Sequence, residues 1–594
     1  MSGYNEDNEL TQKINYDTGL KYIYGSNDSV TVKKLSDDTT VQTYTQSSNE
    51  DQLDNEDAVV TTINESHFGT SYSSQVTNRS TTFTAGSNSV NYSFTNNASN
   101  NVATEAVSYN NTQAFSTAYS YDSKENITSK AITLADNTTF NVVNTYDSKN
   151  RITSTGYGSA QQSYTYDQYG QLTQTVDTAN GFTENYSYDQ RGNILTKTKA
   201  YDDTSLPAET TTFSYGNSAW PDELTSVNGT NLTYDANGNV LSYGNMEFDW
   251  TNGRVLSQIT VNPEDENGTA DIYSYTYDES GIRSSKTVNG VTTCFTTKDG
   301  VILSQTDGTN TMYFQYDNSG NPAGFLYNGT QYFYLTNQMG DVIGISDNAG
   351  SLIATYTYSA WGEVLAVTPA TTGNSTQLAI ANANPLRYRG YYLDQETGYY
   401  YLRSRYYSPS TTRYMCSDIL SNISFVKEEY NGFLYCSNLP ICNTDLTGRS
   451  KVNQLLKKYK CKKTGKGFHL PVNTYFLSRP HCISLACAAI VSYGKGDGYL
   501  HGMGTIRIAE EVWAHAVGYY VGEGLSTSKA KLTNSKPVSS IAKMLITKGI
   551  DMDINYDDSR LWLYKFLWKN GDRVVKTVKN SKNSTCKKYA KYME

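Results

Sequence analysis

The chain has 594 residues and a mass of 66.0 kDa, with 52 Tyr against 17 Phe and 6 Trp and only 11 Pro. Tyr and Thr favour strands while Gly and Asn favour tight turns, so the composition reads as mainly β, and its aromatic content excludes a disordered chain. The net charge of −10 conceals a division: residues 450–594 hold 25 Lys and Arg against 10 Asp and Glu, net +15, which leaves 23 against 48, net −25, for residues 1–449. Such a chain is an acidic body joined to a basic tail.

Histidine and cysteine mark the same boundary. His469, His481, His501 and His515 all lie beyond residue 450, and every cysteine except Cys294 lies beyond residue 415. The first residues, MSGYNEDNEL, show neither a positive n-region nor an apolar h-region, and the longest apolar run, Ile483 to Val491, is too short to span a bilayer. The expectation is a chain without a transmembrane segment that is either exported by another route or is the C-terminal part of a longer exported protein.

Residues 1–110 contain only loose copies of a repeat, such as NYDTGL at 15. From residue 111 to 383 the copies are clear: SYDSKENITS at 120, TYDSKNRITS at 145, TYDQYGQLTQ at 165, SYDQRGNILT at 187, TYDANGNVLS at 233 and TYDESGIRSS at 276, with a looser one, QYDNSGNPAG, at 315. In these copies Tyr ends a strand, Asp caps a turn, Gly supplies a positive φ in those at 165, 187, 233, 276 and 315, and an alternating stretch opens the next strand. One hairpin cannot bury its own face, so the units must stack into a continuous sheet that curls or closes to protect its edges.

Residues 384–418, NPLRYRGYYLDQETGYYYLRSRYYSPSTTRYMCSD, hold nine tyrosines. They read as packing residues of the shell; the alternative is a stacking surface for sugars or bases.

The spaced Tyr-Asp units resemble the YD repeats of RHS proteins, wall-associated toxins and teneurins. The run Asn384-Pro385-Leu386-Arg387-Tyr388-Arg389-Gly390-Tyr391-Tyr392, with Asp394-Gln395-Glu396-Thr397-Gly398 and Tyr401 to Tyr407, resembles the RHS-associated core domain that closes the shell over 384–449. The resemblance implies a β-hairpin shell coiled as a hollow cocoon, which in bacterial members encloses a variable C-terminal toxin. It also implies a closing motif, here Tyr435, Asn438 and Pro440 followed by Asp445 to Gly448. Two departures stand out: Leu446 replaces the usual proline, and Asp418 lacks the proline that commonly follows it. In some relatives a pair of aspartates cuts the chain after this motif, which assigns that role by position to Asp418 and Asp445, with cleavage shortly after Gly448. Two carboxyls that share a proton can serve as base and acid. The other reading makes both aspartates turn caps in a degenerate shell.

Residues 450–594 read as a separate mixed α+β or α-rich domain. IRIAEEVWAHAVGYYVG has the spacing of one helix face at Ala509, Val512, Trp513, Ala516, Val517 and Tyr520, with Glu511 and His515 one turn apart on the other side. PVSSIAKMLITKGI reads as a second helix. For a nuclease, His501, Glu511 and His515 would supply acid and base while lysines hold phosphates. The competing readings are an exposed Glu511–His515 helix pair, a Cys482 thiolate served by a histidine, and a membrane-active aromatic segment from Trp562 to Trp568. No CxxC or HExxH spacing suggests a metal, and no cofactor is expected.

The expected function is therefore an RHS-type shell, secreted or wall-associated, that encapsulates its own C-terminal domain and delivers it in interbacterial competition. A nucleic-acid target and an immunity protein encoded downstream go with that reading. The alternative is a non-enzymatic surface adhesin or carbohydrate-binding repeat protein with an inert C-terminal remnant.

Overall fold

The computed structural model describes residues 2–448 apart from short stretches, the longest being 49–60 and 419–430, together with the backbone of 452–453; residues 454–594 lie outside the described residues. Residues Met1–Arg449 form one compact unit. The expected tail domain, with its two helices and with His501, Glu511 and His515, falls outside the description.

From Ser2–Tyr4 to Val364–Pro369, 34 strands form one sheet. Each pairs antiparallel with the strand before it and the strand after it, as in Leu172–Asp177 between Ala160–Tyr166 and Phe182–Tyr188. The sheet returns on itself, so that its early strands face its late ones. Tyr72 stacks on Tyr313 with ring centroids 3.9 Å apart, and the Tyr92 hydroxyl donates to Gln315 Oε1 at 2.9 Å. His67 lies fully buried between Glu65, 2.6 Å from Nε2, and Thr296, 2.7 Å from Nδ1.

The repeat explains why the chain uses tyrosine where phenylalanine would fill the same space. In the turn Asp167–Gln171 one carboxylate oxygen of Asp167 accepts from the amides of Tyr169 and Gln171, both at 2.9 Å, and the other accepts from the Gln171 side chain at 2.8 Å. The fourth position takes a positive φ, +94° at Gly170, and the non-glycine Asn150 adopts +61° in the equivalent turn. The tyrosine preceding each aspartate sits at a register shift in its strand and sends its hydroxyl back to an earlier turn. Tyr146 donates to the Ile127 carbonyl at 2.7 Å, Tyr166 to Ile152 at 2.5 Å, Tyr188 to Leu172 at 2.5 Å and Tyr316 to Ile302 at 2.7 Å. Trp250 fills the same role through its indole N–H to the Val240 carbonyl at 2.7 Å. Each ring thus buries apolar area and satisfies a carbonyl that the bulged ladder leaves open.

After the sheet comes the helix Ser375–Ala383, capped by Asn374, whose side chain accepts from the Gln377 amide. It stops at Asn384, held extended before Pro385. The tyrosine-rich segment then forms a small antiparallel sheet of Tyr392–Asp394, Tyr399–Tyr401, Tyr406–Ser408 and Arg413–Tyr414. Its tyrosines are packing residues: Tyr388, Tyr400, Tyr407 and Tyr435 are all essentially buried, with Tyr407 stacked on Tyr435 at 4.0 Å.

Two buried ion pairs fasten this segment to the large sheet. Arg283 grips Asp394 through both terminal nitrogens, at 2.6 and 3.0 Å, within a box of Tyr275, Phe295, Tyr392 and Tyr401. Arg389, at φ +56°, donates to both carboxylate oxygens of Asp341 at 2.7 Å.

Candidate functional site

The closing segment from Asn431 to Asp445 docks on the turns of the repeats. Asn438 donates to the Gln171 side chain at 2.9 Å and to the Gly192 carbonyl at 2.6 Å, and Asn431 donates to Asn193 at 2.6 Å. Arg413 reaches the same Asn193 at 3.2 Å and the Asp222 carbonyl at 2.7 Å. These contacts carry the chain past the small sheet and bring Asp445 back beside Tyr414, which lies four residues before Asp418.

Asp418 and Asp445 meet at one guanidinium. Nη2 of Arg405 is 3.3 Å from Oδ2 of Asp418 and 3.6 Å from Oδ2 of Asp445, so the two carboxylate oxygens lie no further apart than the sum of those distances. Nη1 of Arg405 donates to the Gly432 carbonyl at 2.9 Å, and its Nε donates to the carbonyl of Gly448. The guanidinium lies over the Tyr414 ring, 3.5 Å from its centroid. Burial opposes its charge, but Asp418, Tyr414 and Asp445 outweigh that and hold Arg405 above its usual pKa.

The aspartates differ in setting. The Asp445 side chain is 3% exposed, accepts the Tyr414 hydroxyl at 2.6 Å, and has its backbone amide fixed by the Tyr391 hydroxyl at 2.8 Å. That of Asp418 is 14% exposed, and its backbone amide donates to the Gly432 carbonyl at 2.8 Å.

Gly448 sits at φ +69°, and a Cβ there would come within 2.6 Å of the Leu402 carbonyl oxygen and 3.0 Å of the Arg405 amide. Only glycine fits this approach without displacing backbone. The nearby Cys416 thiol is buried, and burial pushes its pKa up to about 11.

Both aspartates named from the sequence are therefore brought together. Arg405 was part of the motif read in sequence but had no assigned role; its signal is the second basic residue of Arg403-Ser404-Arg405, just before a tyrosine strand. Leu446 lies outside the described residues, as do His501, Glu511 and His515. Among the described residues no group of three or more His, Cys, Asp or Glu side chains could hold a metal ion, and no helix is long and apolar enough to cross a membrane.

A continuous meander of Tyr-Asp hairpins closed by a tyrosine-rich segment defines a YD shell. The match to the teneurin YD-shell family runs over residues 2–435, and the chain belongs to that family. It is 36% identical over 286 residues to the tRNA3(Ser)-specific nuclease WapA of Bacillus spizizenii, a match covering 47% of this chain and 12% of that one. It is 35% identical, with the same coverage, to the tRNA nuclease WapA of Bacillus subtilis. The chain thus spans about an eighth of the length of these relatives. Among solved structures it resembles the TcdB2-TccC3-Cdc42 crystal structure, with a TM-score of 0.56 at 17% identity over 75% of this chain and 26% of that chain. The likeness concerns the fold.

Proposed function

We propose that this chain is a toxin shell that cuts itself after Gly448 and releases the chain from Arg449 on, which carries the basic domain of 450–594, as cargo. Residues 1–110 and 111–383 form its wall, and residues 384–449 close it. The observation that carries the proposal is the convergence of two carboxylates and the Gly448 carbonyl on one buried guanidinium. Asp418 takes a proton from water, whose oxygen adds to the Gly448 carbonyl carbon. Asp445, protonated, gives its proton to the Arg449 nitrogen as the C–N bond breaks, leaving a Gly448 carboxylate and a new amino terminus.

The resemblance to nucleases and the tail's net charge of +15 support a nucleic-acid target for the cargo, with His501, Glu511 and His515 as its acid and base groups. Delivery from a secreted or wall-associated protein into competing bacteria, with an immunity protein encoded downstream, completes this reading.

Intact mass of the purified full chain should reveal a fragment beginning at Arg449, absent in Asp418→Asn and Asp445→Asn variants. Persistence of one uncut chain in the parent would dismiss self-cleavage. For the cargo, the whole chain expressed in a bacterium should degrade tRNA and arrest growth, with relief in His515→Ala; intact nucleic acid in arrested cells would reject the nuclease assignment.

A further inference from the structure

We infer that Arg405 is a third catalytic residue, the group that polarises the Gly448 carbonyl and holds the oxyanion formed when water adds to it. The inference rests on the self-cleavage reading and concerns a residue that reading does not need for its acid and base.

The geometry divides the guanidinium into two working edges. Nη1 and Nη2 are occupied by Gly432 and the two aspartates, which fix the plane together with the ring of Tyr414 beneath it. Nε then points at the carbonyl of Gly448 and donates to it. The Arg405 backbone also lies against the same glycine, within 3.0 Å of where a Cβ on Gly448 would stand. A guanidinium held this way carries full positive charge in a buried place, where a charge that develops on the carbonyl oxygen feels it far more strongly than in water.

The electron count places the charge there. As the oxygen of water bonds to the Gly448 carbon, the carbonyl π pair moves onto its oxygen and the proton of water passes to Asp418. Collapse returns that pair to the carbon, expels the Arg449 nitrogen, and transfers to it the proton from Asp445. Throughout, Arg405 neither gains nor loses a proton. It holds the oxygen more strongly once that oxygen is negative than while it is a neutral carbonyl, which is the condition for lowering a barrier.

Arginine also differs here from lysine. A lysine keeps the charge yet cannot reach two carboxylates, a backbone carbonyl and the Gly448 oxygen from one plane.

The test uses the full chain, with cleavage followed over time by intact mass and folding by thermal melting. Arg405→Lys should melt close to the parent and cut about 100-fold or more slowly, the loss typical for one oxyanion donor. Arg405→Ala should be similarly slow and regain part of its rate when guanidinium chloride is added at low millimolar concentration. Cleavage at the parental rate in either variant, or a slow Arg405→Ala variant indifferent to guanidinium, overturns the inference. Asp418→Asn and Asp445→Asn run alongside: if they cut normally while the arginine variants do not, the aspartate assignment fails and Arg405 stands. A parent chain that never cuts removes both.

Discussion

Tyr414 donates its hydroxyl hydrogen to Oδ2 of Asp445 across 2.6 Å, and burial together with that carboxylate holds the phenol well above its ordinary pKa. The bond fixes which way the enclosed aspartate faces. Tyr414→Phe keeps the ring under Arg405 and removes only this tether. A hydrogen bond between neutral groups is worth about 0.5–1.5 kcal/mol, so self-cleavage should slow by about 2- to 10-fold. A time course by intact mass that matches the parent would show that Asp445 needs no such support.

Self-cleavage should quicken with acidity. The reaction needs one proton on the aspartate pair, whereas Arg405 remains charged at any accessible pH because its pKa is raised by Asp418, Tyr414 and Asp445 against the effect of burial. The rate should therefore fall as pH rises, and an Arg449-starting fragment should accumulate fastest at the acid end. A rate that climbs with pH would point to a different nucleophile.

Asp394 gives the shell a second pH dependence, of stability. Burial disfavours its charge, but Arg283 and Lys286 more than compensate and hold its carboxyl below the usual range. A carboxyl depressed in the folded state contributes fully above its unfolded pKa of about 4 and loses that contribution as pH falls through the folded value. Asp394→Asn should destabilise the shell by about 3–5 kcal/mol at neutral pH, since it leaves Arg283 buried without its counter-charge. Chemical denaturation at pH 7 and at acid pH should show the gap between parent and variant narrowing on acidification.

The tyrosine ladder predicts a small, repeated cost. Tyr358 donates to the Val342 carbonyl at 2.7 Å in a buried setting. Tyr358→Phe should lower stability by about 1–2 kcal/mol, and the same change at Tyr316 should add to it nearly independently. Equal denaturation midpoints for parent and variants would mean that the rings act by apolar packing alone.

The turns were legible in the sequence because their chemistry is local: Asp167 caps amides two and four residues on, and Gly170 supplies the backbone conformation between them. The destination of each tyrosine hydroxyl was not, since Tyr146 reaches back nineteen residues to Ile127. Asp418 and Asp445 were found by their place in a motif. Arg405 was invisible as a participant because the groups that define its role, Asp418, Gly432, Asp445 and Gly448, arrive from later in the chain. The helix Ser375–Ala383 escaped notice because nine residues of STQLAIANA present no recognisable apolar stripe and depend on the Asn374 cap.

The strict succession of neighbours in the large sheet bears on how the protein is built. A strand that pairs only with the one before it can join the edge as soon as it leaves a ribosome or a translocation channel, without waiting for distant sequence. Growth at a moving edge also keeps just one strand unpaired at a time, which limits sticking to other chains. The contacts of Tyr72 with Tyr313 and of Tyr92 with Gln315 close only after more than two hundred further residues have been added. Arg405 meets Asp418 and Asp445 later still, so this buried cluster comes together only after the strands of the wall are paired.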